Sequence, residues 1–314
     1  MSKYNEIDFT KLRKTSIKNR LSLVKKEYFS KPGITNFQEF TKSLPDILKA
    51  KDFNELLDKC VHAYKNNKPV IVALGGHVIK CGLAPIIIEM MEIGLIKGLA
   101  SNGSAVIHDY EIARFGETSE DVASALESGE FGMAEETCDG INEIISSAYK
   151  KLGYGEAIGK NLIETKAVNN KISLFANAYR LGIPFTVHVA LGTDIVHQHE
   201  TADGAAIGDC SMRDFRIFCN SLIDLNDGGI FLNFGSAVIM PEVFLKAVTV
   251  VRNLGYPLNN FYTAVFDMNR HYRPQTNIVQ RPTLSGGKGY YFIGHHEIMI
   301  PLFFQILKER IKHA

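Results

Sequence analysis

The sequence predicts a doubly wound α/β protein of Rossmann type, with a mostly parallel sheet preceded by a helical N-terminal extension. Three observations carry that expectation. From Pro69 onward, short β-branched or apolar runs alternate with amphipathic stretches, the rhythm of a parallel sheet covered on both faces. Three of those runs end in small-residue turns that lead into a helix: Leu74-Gly75-Gly76-His77, Ser101-Asn102-Gly103-Ser104 and Phe234-Gly235-Ser236-Ala237. No stretch rich in Gly, Pro and Ser divides the chain, so residues 66–314 are expected to form one domain and residues 1–65 its extension.

The elements follow in order. In the extension, Leu12, Ile17, Leu21, Leu23 and Val24 recur at roughly helical spacing, and Phe53, Leu56, Leu57 and Val61 do so again. Strands are expected near 70–74, 97–101, 184–189, 229–234 and 260–266. Residues 119–181 interrupt the alternation with helical segments, including Cys138–Lys151 and Leu162–Arg180, on one side of the sheet. Thr118-Ser119-Glu120-Asp121 has the composition of a helix N-cap with acids in the first turn.

The tetrapeptide Gly-Ser-Ala-Val occurs at Gly103–Val106 and again at Gly235–Val238. At such a turn the free N–H groups of a helix start point outward and the dipole favours an anion, so a pyrophosphate or carboxylate can be held without a charged side chain. Close packing of helix on sheet also calls for glycine there. None of the turns matches G-x-G-x-x-G or G-x-x-x-x-G-K-[ST], so spacing alone names no nucleotide. As a set they form a row along one sheet edge, where α/β proteins place ligands.

At 314 residues, 46% hydrophobic and 22% charged, the chain can bury a large core. Its 35 basic and 34 acidic residues leave a formal net charge of +1, which provides no global field to draw in nucleic acid or a membrane surface. The basic run Lys11-Leu12-Arg13-Lys14, with Lys18, Arg20, Lys25 and Lys26, reads as a solvated helix face. Five scattered cysteines without a C-x-x-C pair point to reduced thiols. No apolar signal segment follows the start Met-Ser-Lys-Tyr-Asn and no run approaches membrane-spanning length. A cytoplasmic protein with a small-molecule substrate, and neither nucleic-acid nor membrane partner, is expected.

The polar centre is His188–Glu200, which contains His188, His197, His199, Asp194 and Glu200 and is followed by Asp203 and Asp209. Lying just after a strand, it belongs at the carboxyl end of the sheet, where an imidazole can move the proton that leaves an amine or alcohol. His197-x-His199 with Asp194 or Asp203 also offers donors suited to zinc, although no H-E-x-x-H is present. Asp209 suits helix capping as well. In the polar loop after the fifth strand, Arg270, Arg273 and Arg281 suit a carboxylate or phosphate.

From about Lys68 to its end the chain resembles deoxyhypusine synthase and its relatives, whose sheet binds NAD. The resemblance lies in Leu74-Gly75-Gly76, Ser101-Asn102-Gly103-Ser104 with Asp109 beyond, Ala202-Asp203-Gly204-Ala205-Ala206-Ile207-Gly208-Asp209, Gly229–Ser236, Ser285-Gly286-Gly287-Lys288-Gly289, and a last helix entered through Ile300-Pro301-Leu302. It implies that Gly75, Gly76, Ser101, Asn102, Gly103, Ser104, Asp209, Gly235 and Ser236 surround NAD. It implies that His197, His199 and Asp203 lie near the proton transfer, and that Lys288 is the covalent acceptor or a substrate anchor. An unperturbed lysine is neutral only about one time in 2,500 at pH 7, so a nucleophilic Lys288 requires desolvation or a nearby cation; a solvent-facing lysine or a phosphate contact is the other reading of the same residue. A homo-oligomer, and a tetramer in particular, is implied too.

The departures redirect the substrate. The family's amine-binding acids give way to His108 and His295-His296, and its histidine after the fourth strand is absent from Val238-Ile239-Met240-Pro241-Glu242. The resemblance therefore implies a transferase or lyase that uses NAD for redox-neutral amine or imine chemistry on a small amine or amino acid rather than a polyamine. The chain is also similar to archaeal-type ornithine cyclodeaminase around Leu74–Ala84 and Ala100–Asp109. The alternatives are a metal-dependent hydrolase built on His197 and His199, and a nucleotide-binding protein without catalysis.

Overall fold

The computed structural model describes residues 3–21 and 23–313, so the first two residues of the start sequence lie outside it. The chain divides into two units, Met1–Asp52 and Phe53–Ala314. In the first, three short 3-10 turns, at Phe9–Lys11, Ile17–Asn19 and Lys26–Tyr28, precede helix α1 (Phe37–Ser43), whose start is capped by Asn36. The continuous helix expected through Leu12–Val24 is not formed among the described residues. Leu12, Ile17, Leu21, Leu23 and Val24 all stay exposed, and helical spacing without a surface to bury against does not hold a short helix in water. Helix α2 (Leu48–Lys65) follows, with Phe53, Leu56 and Leu57 buried on the stripe that their spacing predicts.

The second unit continues with β1 (Val70–Leu74), α3 (Gly76–Lys80), α4 (Ala84–Glu92), β2 (Ile96–Ser101) and α5 (Gly103–Phe115). Next come α6 (Val122–Ser128), α7 (Glu135–Ala148), α8 (Tyr154–Glu164), α9 (Leu174–Leu181) and β3 (Phe185–Val187). Helix α10 (Gly204–Leu222), β4 (Ile230–Phe234), α11 (Ile239–Asn253) and β5 (Phe261–Asp267) lead to the one-turn α12 (Tyr272–Pro274) and a π-helical stretch, Gln275–Gln280. Strand β6 (Gly287–Ile293) and α13 (His296–Lys312) complete it.

All six strands are parallel, in the order β3-β2-β1-β4-β5-β6, which is the doubly wound arrangement the alternation predicts. Every residue of β1 and β4 is buried, as expected for strands covered on both faces. On one face Ile71, Phe231, Phe244 and Phe218 share a core, with Phe231 and Phe244 stacked at 3.8 Å. On the other, Phe234, Phe266, Phe303 and Phe304 meet edge-on or tilted.

Two differences from the sequence expectation have physical causes. The stretch expected as one helix, Leu162–Arg180, is broken between α8 and α9 because Ser173 caps α9, its Oγ accepting from Ala176 N at 3.0 Å. Asp109 of α5 receives the Ser173 hydroxyl at 2.5 Å and Leu174 N at 2.7 Å at the same point. Strand β6 was not anticipated, since its start is rich in glycine. A Cβ on Gly287 would overlap Phe261 O, and one on Gly289 would overlap Val279 O, so glycine here serves close approach rather than a loop. No helix among the described residues is long and apolar enough to cross a membrane.

Candidate functional site

The chain leaves β1 for β2 and β3 on one side and returns to β4, β5 and β6 on the other, so the switch point of the sheet lies at the carboxyl ends of β1 and β4, where doubly wound folds open a ligand crevice. Leu74 is in register with both Ser101 and Phe234. Pairing runs one residue past each strand: Gly75 N donates to Phe234 O and Gly235 N to Phe266 O, both at 3.0 Å.

The three glycine turns meet there as one continuous row. A Cβ on Gly75 would stand 2.9 Å from Gly235 O, and one on Gly76 would stand 2.7 Å from Ser104 Oγ and 3.0 Å from His108 Cδ2. A Cβ on Gly103 would overlap Asp194 Oδ2. Gly235 has φ +68 and packs against the His296 ring. From one end to the other the row is therefore His296, Gly235, Gly75, Gly76, Ser104, Gly103, Asp194.

The side chains of the row are partly committed. Ser101 is buried and donates Oγ to Leu74 O at 2.6 Å, holding β2 to β1. Asn102 accepts from Ser104 Oγ at 3.0 Å. Ser236 Oγ accepts from Met240 N at 3.2 Å, and Ser236 O accepts from Asn233 Nδ2 at 3.0 Å. The Asn233 Oδ1 left over is buried with no partner. His296 is 2% exposed. Its Nε2 lies 3.2 Å from Phe266 O, which puts the proton on Nε2 and leaves Nδ1 as an acceptor, buried and without a partner. An unsatisfied buried group costs about 1–3 kcal/mol, so such an atom marks a place where a ligand or water belongs.

Burial is the main reason that His296 is held below its ordinary pKa. His108 is brought down to about 4 by desolvation, then by the charges of Lys80 and His77, and its Nδ1 is 2.8 Å from Thr118 Oγ1. His77 and His296 have ring centroids 5.8 Å apart. His108 and His296, whose charged forms desolvation disfavours, thus stand against the Gly76 and Gly235 turns.

The histidine-rich stretch divides. His188 is buried, bonded through Nε2 to Thr186 Oγ1 at 3.1 Å, and pushed down to about 3 by desolvation. Asp194 opens a short 3-10 turn, Ile195–Gln198, and closes a capping box with His197. His197 Nδ1 accepts from Gly192 N at 3.1 Å and Asp194 N at 3.3 Å, so the proton is on Nε2, which is buried and has no partner. Burial raises the Asp194 pKa, with the His197 charge opposing.

The remaining expected site residues do not join the row. His199 faces α7: Nε2 is 3.1 Å from Gly132 O and Nδ1 is 3.5 Å from Asp139. Asp203 caps α10 by accepting from Ala205 N at 2.8 Å and Ala206 N at 3.2 Å. Asp209 accepts from Lys150 N at 3.0 Å. Lys288 is at the opposite end of the sheet, since β6 begins at Gly287 and Lys288 pairs with Tyr262 near the start of β5; its Nζ is 2.6 Å from Glu55. No group of three or more His, Cys, Asp or Glu side chains among the described residues converges as metal ligands, so the zinc reading of His197 and His199 has no third donor.

Sequence reasoning passed over the seat of Asp194 on Gly103, the part of His296 and the buried Asn233. In the sequence His296 stands out only as a departure from the family's pattern. Its place became legible through the register of β5, which sets Phe266 O against the start of α13.

No family model matches the chain. A deoxyhypusine synthase-like protein from Chlorobaculum parvum (strain DSM 263 / NCIMB 8327) is 25% identical over 211 residues, 60% of this chain and 59% of that protein. The chain thus matches less than two thirds of that relative's length. Among solved structures, a candidate deoxyhypusine synthase from Entamoeba histolytica aligns with TM-score 0.53 at 11% identity, over 87% of this chain and 93% of that one. The ternary complex of AgrE with ornithine and NAD+ aligns with TM-score 0.51 at 12% identity, over 83% of this chain and 33% of that one. At these identities the two structures speak to the shared fold.

Proposed function

We propose that this chain, which is similar to a deoxyhypusine synthase-like protein over 60% of its length, is a divergent member of that family, binds NAD in the crevice outside β1 and β4 and carries out redox-neutral amine or imine chemistry on a small amine or amino acid. The observation that carries the reading is the continuous row of glycine turns at the switch point, in which the absence of side chains at Gly75 and Gly76 lets the β1 turn pack directly on the Gly235 and Ser104 turns. The buried, unpartnered acceptor on His296 supports it.

Within this reading the Gly75-Gly76 and Gly235-Ser236 turns hold the pyrophosphate through the N–H groups of Gly76 and Ser236, since those of Gly75 and Gly235 pair with Phe234 O and Phe266 O. The start of α5 is the less suitable seat, since Asp194 already places a carboxylate over Gly103. Ser101, Asn102 and Ser104 shape the crevice through their bonds to Leu74 O and to one another. NAD when bound supplies a two-electron oxidant that is restored when the electrons are given back. His296 Nδ1 accepts a ligand N–H or O–H, and His197, its Nδ1 taken by Gly192 N and Asp194 N, is left at the far end of the row with one unpartnered N–H. Lys288, tied to Glu55 at the other sheet edge, is not assigned a chemical role within the same chain, and His199, Asp203 and Asp209 hold the scaffold. A homo-oligomer, tetrameric by analogy with the family, belongs to the same reading and is checked by sedimentation.

The test is titration with NADH, following the cofactor's own fluorescence because the chain has no tryptophan. Saturable binding that is lost in Gly75→Val, with the variant's circular dichroism unchanged, supports the reading. Failure of the folded wild-type protein to bind NADH or NAD overturns it. The remoteness of Lys288 favours one second reading, a nucleotide-binding protein without turnover. That reading expects binding with no product from any amine or amino acid.

A further inference from the structure

The far end of the glycine row has donors and acceptors that the cofactor reading does not use. Asp194 is 8% exposed, yet its Oδ2 is turned toward Gly103 rather than toward solvent. His197 has a buried Nε2–H with no acceptor, while its Nδ1 is occupied by Gly192 N and Asp194 N. The capping box explains where both residues stand in the turn. It explains neither the orientation of Oδ2 nor the orphaned N–H.

This loop is anchored rather than loose. Asn142 of α7 donates Nδ2 to Val196 O at 2.9 Å and to Thr201 Oγ1 at 3.1 Å. Thr201 Oγ1 donates to Asp139 at 2.6 Å, and His199 is seated on Gly132 O. Asp194 and His197 are therefore presented on a fixed platform, which keeps the ordering cost of a binding group low. A carboxylate recognises a cation or a hydroxyl; a lone imidazole N–H recognises an anionic or carbonyl oxygen. Held in one short turn, they match a ligand that carries both groups on neighbouring atoms.

We propose that Asp194 and His197 form the head-group pocket for an α-amino acid, with the Asp194 carboxylate accepting from the ammonium and His197 Nε2–H donating to the carboxylate. This assignment rests on the reading of the crevice as a cofactor site, which Asp194 adjoins through Gly103, Ser104 and Gly76. It separates the ends of the row by chemistry: backbone N–H groups for phosphates at Gly76 and Ser236, and an acid with an imidazole N–H for the substrate at Asp194 and His197.

The test is calorimetric titration of the full chain, with and without saturating NADH, using L-ornithine and L-lysine, the corresponding diamines putrescine and cadaverine, and valerate. Saturable binding of the amino acids, weaker binding of the diamines and none of valerate is expected. Asp194→Asn keeps a good capping side chain but removes the charge, and should weaken the amino acids by roughly tenfold or more. His197→Ala should erase the preference for amino acid over diamine, and His197→Gln, which can again place an N–H there, should restore part of it. Wild-type affinity in Asp194→Asn overturns the proposal, as does diamine binding equal to that of the amino acids. Binding of NADH with no response to any of these ligands overturns it too, while leaving the cofactor reading intact. Failure of NADH with retained amino-acid binding overturns the cofactor reading instead.

Discussion

The Asp194 carboxylate occupies the space that a Cβ on residue 103 would fill. A loop that follows β3 thereby closes over the first residue of the helix that follows β2, and it does so with an acid. That contact makes Gly103 a steric requirement. Gly103→Ala should lower the unfolding free energy by about 1–3 kcal/mol, as overpacking generally does. In an Asp194→Ala background the same substitution should cost clearly less, because the two sites are in contact and their effects do not add. Urea unfolding of the four proteins checks this.

The contact between the β1 and β4 turns is equally specific. Gly75→Ala would set a methyl group 2.9 Å from Gly235 O, a backbone atom that cannot swing aside. The expected result is NADH affinity weakened by about tenfold, equivalent to about 1.4 kcal/mol. Gly208→Ala on α10 is the control, since a Cβ there meets nothing within 4 Å, and NADH binding should be unchanged.

Two buried groups at the end of β3 oppose each other in pH dependence. Asp214 accepts from Val187 N at 2.7 Å and Gly155 N at 2.9 Å, yet desolvation lifts it from 3.8 to about 7. Between those values the folded chain retains a proton that the unfolded chain has released, so this group's contribution to stability falls as pH rises. Desolvation moves His188 from 6.5 down to about 3. The unfolded chain binds a proton there that the folded chain refuses, so its contribution falls as pH drops from 6.5. Asp214→Asn should therefore make stability climb more steeply between pH 4 and 6.5 than in wild type. His188→Gln should flatten or reverse the slope. Denaturation midpoints measured across this range decide it.

Lys288 and Glu55 form an ion pair with both side chains more than a third exposed, and such pairs contribute about 0–1 kcal/mol. Lys288→Ala should change stability by no more than that and leave NADH binding as it was. If turnover of an amine or amino acid is found and vanishes in this variant while NADH binding persists, the lysine acts chemically from another copy of the chain.

What the sequence determined by itself is the alternation, and with it the fold. Apolar runs such as Val70–Leu74, and Ile230–Phe234 with Asn233 its one polar residue, can be satisfied only with cover on both faces, and the glycines that end them mark one edge. Five of the six strands and the convergence of Gly75, Gly103 and Gly235 follow from that. The tertiary structure decided the rest, because it depends on what each residue meets. Gly287 and Gly289 are indistinguishable from loop glycines until Phe261 O and Val279 O are seen beside them. His197 and His199 are equivalent along the chain, two residues apart, but one keeps a buried, orphaned N–H while the other lies on Gly132 O, just before α7. Lys288 lies among glycines in sequence, yet parallel strand direction sends it to the amino edge, away from the turns at the carboxyl ends. Sequence spacing fixes which element a residue belongs to; register and direction fix which end of the sheet it reaches, and only there do side chains from distant segments become neighbours.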